Sequence, residues 1–300
     1  MAECDQFCRV VGIDVQATQY GTAAGGVDAW FALEYDGPWG SKAWEAATVP
    51  AAVRAHVDAW VVATPSARIQ LIRRAERRAQ GDVTLLLGNG RQGSGCVAEV
   101  RLATIDALVD VDLAAGIEQL RAGRIPEGMQ EIARPIALVC TNGKRDRCCA
   151  KWGVPVFDAM VADGRVDVWQ TTHLGGHRFA ATMVWLPSGI CHGRVMPEQV
   201  PGLVDALIGG EIGPLELLRG RTSLREAAQA GEYFFRSEHG LAGLDDVVID
   251  GAVKDGDQWI VTGRALDQPV RFSIREIMTG AVAPASCGKT PEPVRGWSLA

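Results

Sequence analysis

The fold of this chain is constrained most by an order of strands and helices that occurs twice. In the first half, apolar segments predict strands at WFALEY (30–35), ARIQLIRR, DVTLLLG and CVAEVRLA, with helices over 41–62 and 104–122. In the second half, strands are predicted at IALVC (136–140), VDVWQTT, FAATMVWL and ICHGRV, with helices over 149–162 and PEQVPGLVDALIGG. Both halves have the order β-α-β-β-β-α, which predicts an α/β fold of two tandem modules.

The repeat predicts three units along the chain. Residues 1–126 form a first module, residues 133–215 a second, and residues 216–300 a C-terminal helix with a small antiparallel β region. The last unit ends in a Pro/Gly-rich segment that we expect to wrap the surface. We expect the first twenty residues to be poorly structured, and Gly153 and Pro155 to interrupt the helix at 149–162. The two modules are predicted to pack as an intramolecular pseudo-dimer, with a homodimer as the alternative.

Charge and composition exclude several classes of function. The formal net charge of −6 argues against general nucleic-acid binding. The N-terminus MAECDQFCRV lacks the features of a secretory signal, and no apolar run approaches the roughly 18 residues that span a bilayer. We therefore expect a cytoplasmic protein that does not bind membranes. In that compartment, the eight cysteines are predicted to be metal ligands or free thiols rather than disulfides.

The second module contains a group of cysteines and histidines at close spacing. The segment VCTNGKRDRCCAKWG carries Cys140, Cys148 and Cys149, and TTHLGGHRFA carries His173 and His177. Two thiolates and two imidazoles can close a four-ligand site, either for zinc or for a [2Fe–2S] cluster with mixed ligation. These residues alone leave both metals open, and either sulfur of the pair Cys148–Cys149 can reach the site.

Two glycines between the histidines favour a tight loop at this site. Gly175 and Gly176 have no Cβ atoms, so the backbone between His173 and His177 can turn sharply and approach a bound group closely. The backbone N–H groups of such a loop are able to reach the sulfides of a cluster.

The motifs CTNGKRDRCCA and THLGGHRFAAT resemble those of the sucrase/ferredoxin-like family. Further similarity lies in GTAAGGVDAWFALEYDGPWG, LRGRTSLREAAQAGEYFFR and SCGK, so the resemblance covers nearly the whole chain. It implies a thioredoxin-like ferredoxin fold in which Cys140, Cys149, His173 and His177 ligate a [2Fe–2S] cluster. Asn142 and His192 depart from the family pattern, but neither is a ligand position. Despite the family name, no placed pair of carboxylates indicates sugar hydrolysis.

The resemblance implies a one-electron carrier rather than an enzyme. Such a carrier needs a separate reductase as electron donor and an acceptor that the sequence does not identify. The first module, which lacks the Cys/His quartet, is expected to carry no cluster. The motif also contains Arg145 beside Asp146, which we expect to form a pair that braces the loop near the site, with Cys148 close by.

Two other functions stay open at this point. The main alternative is a zinc-stabilised or thiol-based thioredoxin-fold module that binds a partner without transferring electrons. A catalytic reductase is the third reading, and it would need electrons from another protein. Among the minor motifs, Gly88, Gly90 and Gly93 are predicted to form a hairpin turn rather than a dinucleotide site. Cys4 and Cys8 fall in the segment expected to be loose.

Overall fold

The computed structural model describes residues 6–76 and 82–300, so Cys4 lies outside the described residues. After a short helix, α1 (Cys8–Asp14), the first module has four main strands and three helices. These are β1 (Ala29–Glu34), α2 (Ala43–Ala46), α3 (Ala51–Ala63), β2 (Ala67–Arg73), β3 (Val83–Asn89), β4 (Cys96–Leu102) and α4 (Leu113–Arg121). A two-residue strand, β5 (Gln130–Glu131), leads to the second module.

The second module has the same succession of elements. They are β6 (Ile136–Cys140), α5 (Arg147–Asp163), β7 (Asp167–Thr171), β8 (Met183–Leu186), β9 (Ile190–His192) and α6 (Val200–Ile208). The C-terminal unit follows with β10 (Leu218–Arg221), α7 (Glu226–His239), β11 (Val247–Asp255), β12 (Gln258–Ala265), β13 (Gln268–Ala283) and β14 (Glu292–Leu299). The α/β class and the β-α-β-β-β-α order expected of a thioredoxin-like ferredoxin are therefore confirmed.

The strands of both modules pair in the same way. In the first module β1 lies parallel to β2 and antiparallel to β3, which pairs with β4. In the second, β6 lies parallel to β7 and antiparallel to β8, which pairs with β9. The equivalent strands β2 and β7 pair antiparallel, giving one ten-stranded sheet in the order β10-β9-β8-β6-β7-β2-β1-β3-β4-β5. The strands of both modules therefore belong to one sheet, while the intramolecular pseudo-dimer and the module boundaries stay predictions.

Alternation along the strands places side chains in two cores. In β1, Phe31 and Leu33 join the core beneath α3 and α4, while Trp30 joins a second core on the other side. That second core also contains Ile136 and Leu138 of β6, so the two modules share it. Because successive residues of a strand point to opposite faces, a strand buried on both sides must be apolar throughout, as WFAL and IALV are.

The C-terminal unit is more ordered than the sequence predicted. Its last segment does not merely wrap the surface, because β14 pairs antiparallel with β13 and completes a four-stranded sheet. Helix α7 packs on this sheet and carries the buried Glu232, which forms ion pairs with Arg221 at 3.1 Å and Arg236 at 2.9 Å. These contacts tie the second sheet to strand β10 of the first.

Several predicted helix boundaries were wrong. The predicted helix at 41–62 is two helices, because the chain is extended between them and Pro50 precedes the first turn of α3. Helix α5 continues through Gly153 and Pro155 instead of breaking there. Val156, Phe157 and Met160 lie in the core beyond the proline, and this burial outweighs the missing backbone hydrogen bond.

Two further expectations are corrected at the edges of the site. Cys8 is not in a loose segment but is the first, fully buried residue of α1. The predicted strand FAATMVWL begins only at Met183, because residues His177–Phe179 form a 3₁₀ turn that brings His177 inward.

The predicted hairpin at Gly88–Gly93 is confirmed, since Asn89 pairs with Cys96. Within the described ranges, no helix is both long and apolar enough to cross a membrane.

Protonation of the buried His192 ring is expected to destabilise the protein in acid. Its ring is fully buried; Nδ1 accepts from Trp185 Nε1 at 3.1 Å and Nε2 donates to the carbonyl of Ile212 at 2.9 Å. Burial lowers the pKa of His192 to about 4, against about 6.5 for an unfolded chain. The unfolded state therefore binds more protons between these values, and the contribution of the neutral ring, complete above pH 6.5, is lost as the pH falls toward 4.

Replacing the titrating ring should make the protein less sensitive to acid. From pH 7 to pH 5, we expect wild type to lose about 2 kcal/mol more unfolding free energy than His192→Gln. Urea unfolding of both proteins at the two pH values measures this difference directly. Equal losses in the two proteins would contradict the prediction, whatever the absolute stability of the variant.

Candidate metal centre

Cys140 and Cys149 meet where the end of β6 faces the start of α5. Cys140 is the last residue of β6, and its backbone N–H donates to the carbonyl of Thr182 at 3.0 Å. Cys149 lies in the first turn of α5, whose N-cap Asp146 accepts a hydrogen bond from the backbone N–H of Cys148 at 2.8 Å. The positive end of a helix dipole favours thiolates at such a position.

Gly153 allows this close approach. A Cβ atom at residue 153 would overlap the carbonyl oxygen of Cys140, so a larger residue would push α5 away from β6. The helix therefore depends on glycine at this position to bring Cys149 beside Cys140.

The two histidines come from the loop after β7. Their rings stack, with centroids 4.0 Å apart and planes 10° from parallel. Gly175 and Gly176, with φ of 98° and 70°, occupy the left-handed region that the predicted tight loop requires. The guanidinium of Arg219 donates to the carbonyl of Gly175 at 2.9 Å, and that of Arg68 donates to the carbonyl of His173 at 3.0 Å. The buried Arg219 and the half-buried Arg68 thus hold the backbone of the histidine loop.

The structure brings all four residues of the predicted site together around one sulfur. Cys149 Sγ lies 4.0 Å from His173 Nδ1 and 3.7 Å from His177 Nδ1. The ligand atoms of Cys140, Cys149 and His173 all lie within 4.8 Å of one another. His177 Nδ1 also lies 4.0 Å from a carboxylate oxygen of Asp146. This group of thiols and imidazoles can hold a metal.

Burial and hydrogen bonding prepare these side chains to act as ligands. The neighbouring Cys149 is the main cause of a pKa of Cys140 well below its usual value, which favours the thiolate form that metals bind. Burial, together with the neighbouring His173, lowers the pKa of His177 to about 4. The His177 ring is therefore neutral near pH 7, as a metal-binding imidazole must be.

The neighbouring residues depart from their predicted places. Asp146 does not pair with Arg145; its carboxylate accepts from Ser286 Oγ at 2.6 Å and from the backbone N–H of Cys287 at 2.8 Å. Arg145 is exposed, and its backbone N–H donates to Asn142 Oδ1 at 3.3 Å. Cys148 does not share the site with Cys149, because its sulfur lies 3.3 Å from both Cys8 Sγ and Cys287 Sγ.

Sequence reasoning missed this second group. Cys8 and Cys287 are separated from Cys148 by more than one hundred residues on either side, so no local spacing connects them. The only signal was that cysteine occurs in both terminal segments.

The fold and the site define a mixed α/β protein with a cysteine–histidine group that can hold a metal. The model of the sucrase/ferredoxin-like family matches residues 20–220, and the chain belongs to this family.

Several known proteins are similar to parts of the chain. "Altered inheritance of mitochondria protein 32" of Debaryomyces hansenii is 39% identical over 102 residues, which are 30% of this chain and 37% of that protein. The protein of the same name in Meyerozyma guilliermondii is 35% identical over 89 residues, covering 26% and 32%. The match thus spans about a third of these relatives. Among solved structures, a thioredoxin-like [2Fe–2S] ferredoxin from Aquifex aeolicus is 22% identical with a TM-score of 0.26, covering 29% of this chain and 91% of that one.

The contact at Gly153 yields a prediction with an internal control. In Gly153→Ala, the added methyl group should move α5 and separate Cys149 from Cys140. We therefore expect the metal held by Cys140 and Cys149 to fall several-fold per chain. The free energy of unfolding should fall by about 1–3 kcal/mol. Gly202→Ala in α6 places a methyl group in open space, and it should keep the metal. Elemental analysis and thermal unfolding of both variants provide the test, and equal metal content in both would show that the contact does not position the site.

Proposed function

We propose that the chain is a one-electron carrier in which Cys140, Cys149, His173 and His177 hold a [2Fe–2S] cluster. The observation that carries the proposal is the convergence of both imidazoles to within 4.0 Å of Cys149 Sγ, beside the thiol of Cys140. Membership of the sucrase/ferredoxin-like family supports it, because these four positions match the family's cysteine and histidine motif.

The residues fit the chemistry of such a cluster. Iron–sulfur clusters bind thiolates, and mixed ligation by two cysteines and two histidines is an established arrangement. Cys140 and Cys149 lie in the apolar core shared by the modules, together with Leu174. This core excludes water from the thiolates and from the side of the site that faces the sheet.

One face of the site is accessible. His173 is half-buried and lines a cavity of about 140 Å³ with Trp44, Asn142 and Thr172. His177, by contrast, is buried. We therefore propose that electrons enter and leave past the edge of His173, and that donor and acceptor proteins dock over this cavity. The donor is expected to be a separate reductase.

The ligand set determines the expected potential. A bound [2Fe–2S] cluster would accept and release one electron. Two neutral imidazoles in place of two thiolates remove two negative charges from it, so its potential should lie above the roughly −400 mV of plant-type ferredoxins, toward the Rieske range of about −150 to +300 mV. The cations of Arg68 and Arg219, which hold the histidine loop, act in the same direction.

A zinc-stabilised module is the second candidate. The observation that favours it is that the ligand atoms of Cys140, Cys149 and His173 lie close enough to surround a single ion. In that case, the site would stabilise the fold and transfer no electrons.

The protein purified without oxygen distinguishes the two candidates. We expect visible absorption that bleaches on reduction, with about two irons and two sulfides per chain, and we expect Cys140→Ser and Cys149→Ser to lose both. Cys96→Ser is the matched control, because Cys96 Sγ donates to the carbonyl of Leu120 in the first module, and it should keep the cluster. A colourless wild-type protein that fails to take up iron and sulfide on reconstitution would exclude the electron carrier.

The ligand role of the accessible histidine is tested by the potential itself. In His173→Cys a thiolate replaces a neutral imidazole, so the midpoint potential should fall by about 100 mV or more, provided that iron content is retained. His239→Cys is the control, since His239 lies at the exposed end of α7 and should leave the potential unchanged. Redox titration followed by visible absorption measures both, and an unchanged potential in His173→Cys would remove His173 from the ligand set.

A further inference from the structure

A second group of potential metal ligands lies beside the first. It consists of Cys8, Asp146, Cys148 and Cys287, which we call the terminal cysteine group. Cys148 Sγ lies 3.3 Å from both Cys8 Sγ and Cys287 Sγ, and the latter two are 3.7 Å apart. The carboxylate of Asp146 lies 4.0 Å from Cys8 Sγ. Three sulfurs and a carboxylate therefore face a common centre.

We propose that the terminal cysteine group binds one zinc ion, which fastens both ends of the chain to the start of helix α5. Cys8 comes from α1, Cys287 from the loop between β13 and β14, and Cys148 from the first turn of α5. The site does not depend on the electron-carrier proposal, because it shares no ligand with Cys140, Cys149, His173 or His177.

The spacing of the sulfurs suits a single tetrahedral ion. Zinc binds thiolate sulfur at about 2.3 Å, which places two sulfurs of a tetrahedral site about 3.8 Å apart. The three observed separations of 3.3 to 3.7 Å come close to this value without any ion to set them. A disulfide between two of these cysteines would leave the third thiol without a bonding partner, whereas one ion engages all three.

Asp146 can supply the fourth ligand. Its Oδ2 accepts two hydrogen bonds, from Ser286 Oγ at 2.6 Å and Cys287 N at 2.8 Å, while Oδ1 accepts one, from Cys148 N at 2.8 Å. Oδ1 thus keeps a lone pair for a metal. These hydrogen bonds fix the carboxylate, whose two oxygens both lie 4.0 Å from Cys8 Sγ.

Most of the terminal cysteine group is buried. Cys8, Asp146 and Cys148 are buried, and apolar neighbours such as Phe7, Trp152 and Ala180 surround the sulfurs. A divalent ion held by three thiolates and the Asp146 carboxylate displaces the three thiol protons and offsets two of the four negative charges that result.

Metal analysis of the anaerobically purified full-length protein tests the proposal. We expect about one zinc per chain in wild type and at least tenfold less in Cys8→Ser and in Cys287→Ser, with iron retained in both. Cys96→Ser serves as the control and should keep its zinc. The double variant Cys140→Ser/Cys149→Ser should lose iron but keep zinc, which separates this site from the candidate cluster site.

Zinc K-edge X-ray absorption on wild type needs no variant and so is independent of any folding defect. It should show three sulfurs at about 2.3 Å and one oxygen at about 2.0–2.2 Å. Histidine nitrogen in the zinc shell, or zinc lost only in the Cys140→Ser/Cys149→Ser variant, would place the metal at the other site and overturn the proposal. A wild-type protein without zinc, whether its thiols are free or a disulfide joins two of them, would also overturn it.

Discussion

Helix α5 can approach the end of β6 because residue 153 has no side chain. Any Cβ atom there would overlap the carbonyl oxygen of Cys140, so the position of the helix depends on a single absent methyl group. Beyond this contact, Val156, Phe157 and Met160 bury the helix against the sheet despite Pro155. Packing in the second half of the helix therefore determines where its first turn lies, and the first turn carries Cys148 and Cys149.

That first turn contributes side chains to two cysteine groups at once. Cys149 faces the imidazoles of the candidate cluster site, while the adjacent Cys148 faces Cys8 and Cys287. Asp146 caps the helix and stands between them, with its carboxylate in the terminal cysteine group and 4.0 Å from His177 Nδ1. Neighbouring residues on a helix diverge by about 100°, so two vicinal cysteines naturally reach different centres.

The sequence predicted the features that depend on local patterns. Apolar runs located the strands of both modules, and the spacing of Cys140, Cys149, His173 and His177 identified side chains that the fold brings together, although their role as ligands stays a prediction. The sequence did not predict the features that depend on contacts between residues far apart in the chain. Pro155 is tolerated because of packing, α1 is ordered by contacts with the site region, and Cys8 meets Cys287 only because both ends of the chain return to α5. Neither of the last two contacts leaves a trace in nearby residues.

The antiparallel pairing of β2 with β7 has a consequence for the chain as a whole. Strand β7 would otherwise be an edge, with an unpaired row of N–H and C=O groups and an apolar face that includes Trp169. Exposed edges of this kind recruit other strands and lead to aggregation. The first module, which carries no Cys/His quartet, covers that edge permanently within the same polypeptide. The first module thereby keeps the edge of β7 from pairing with strands of other chains.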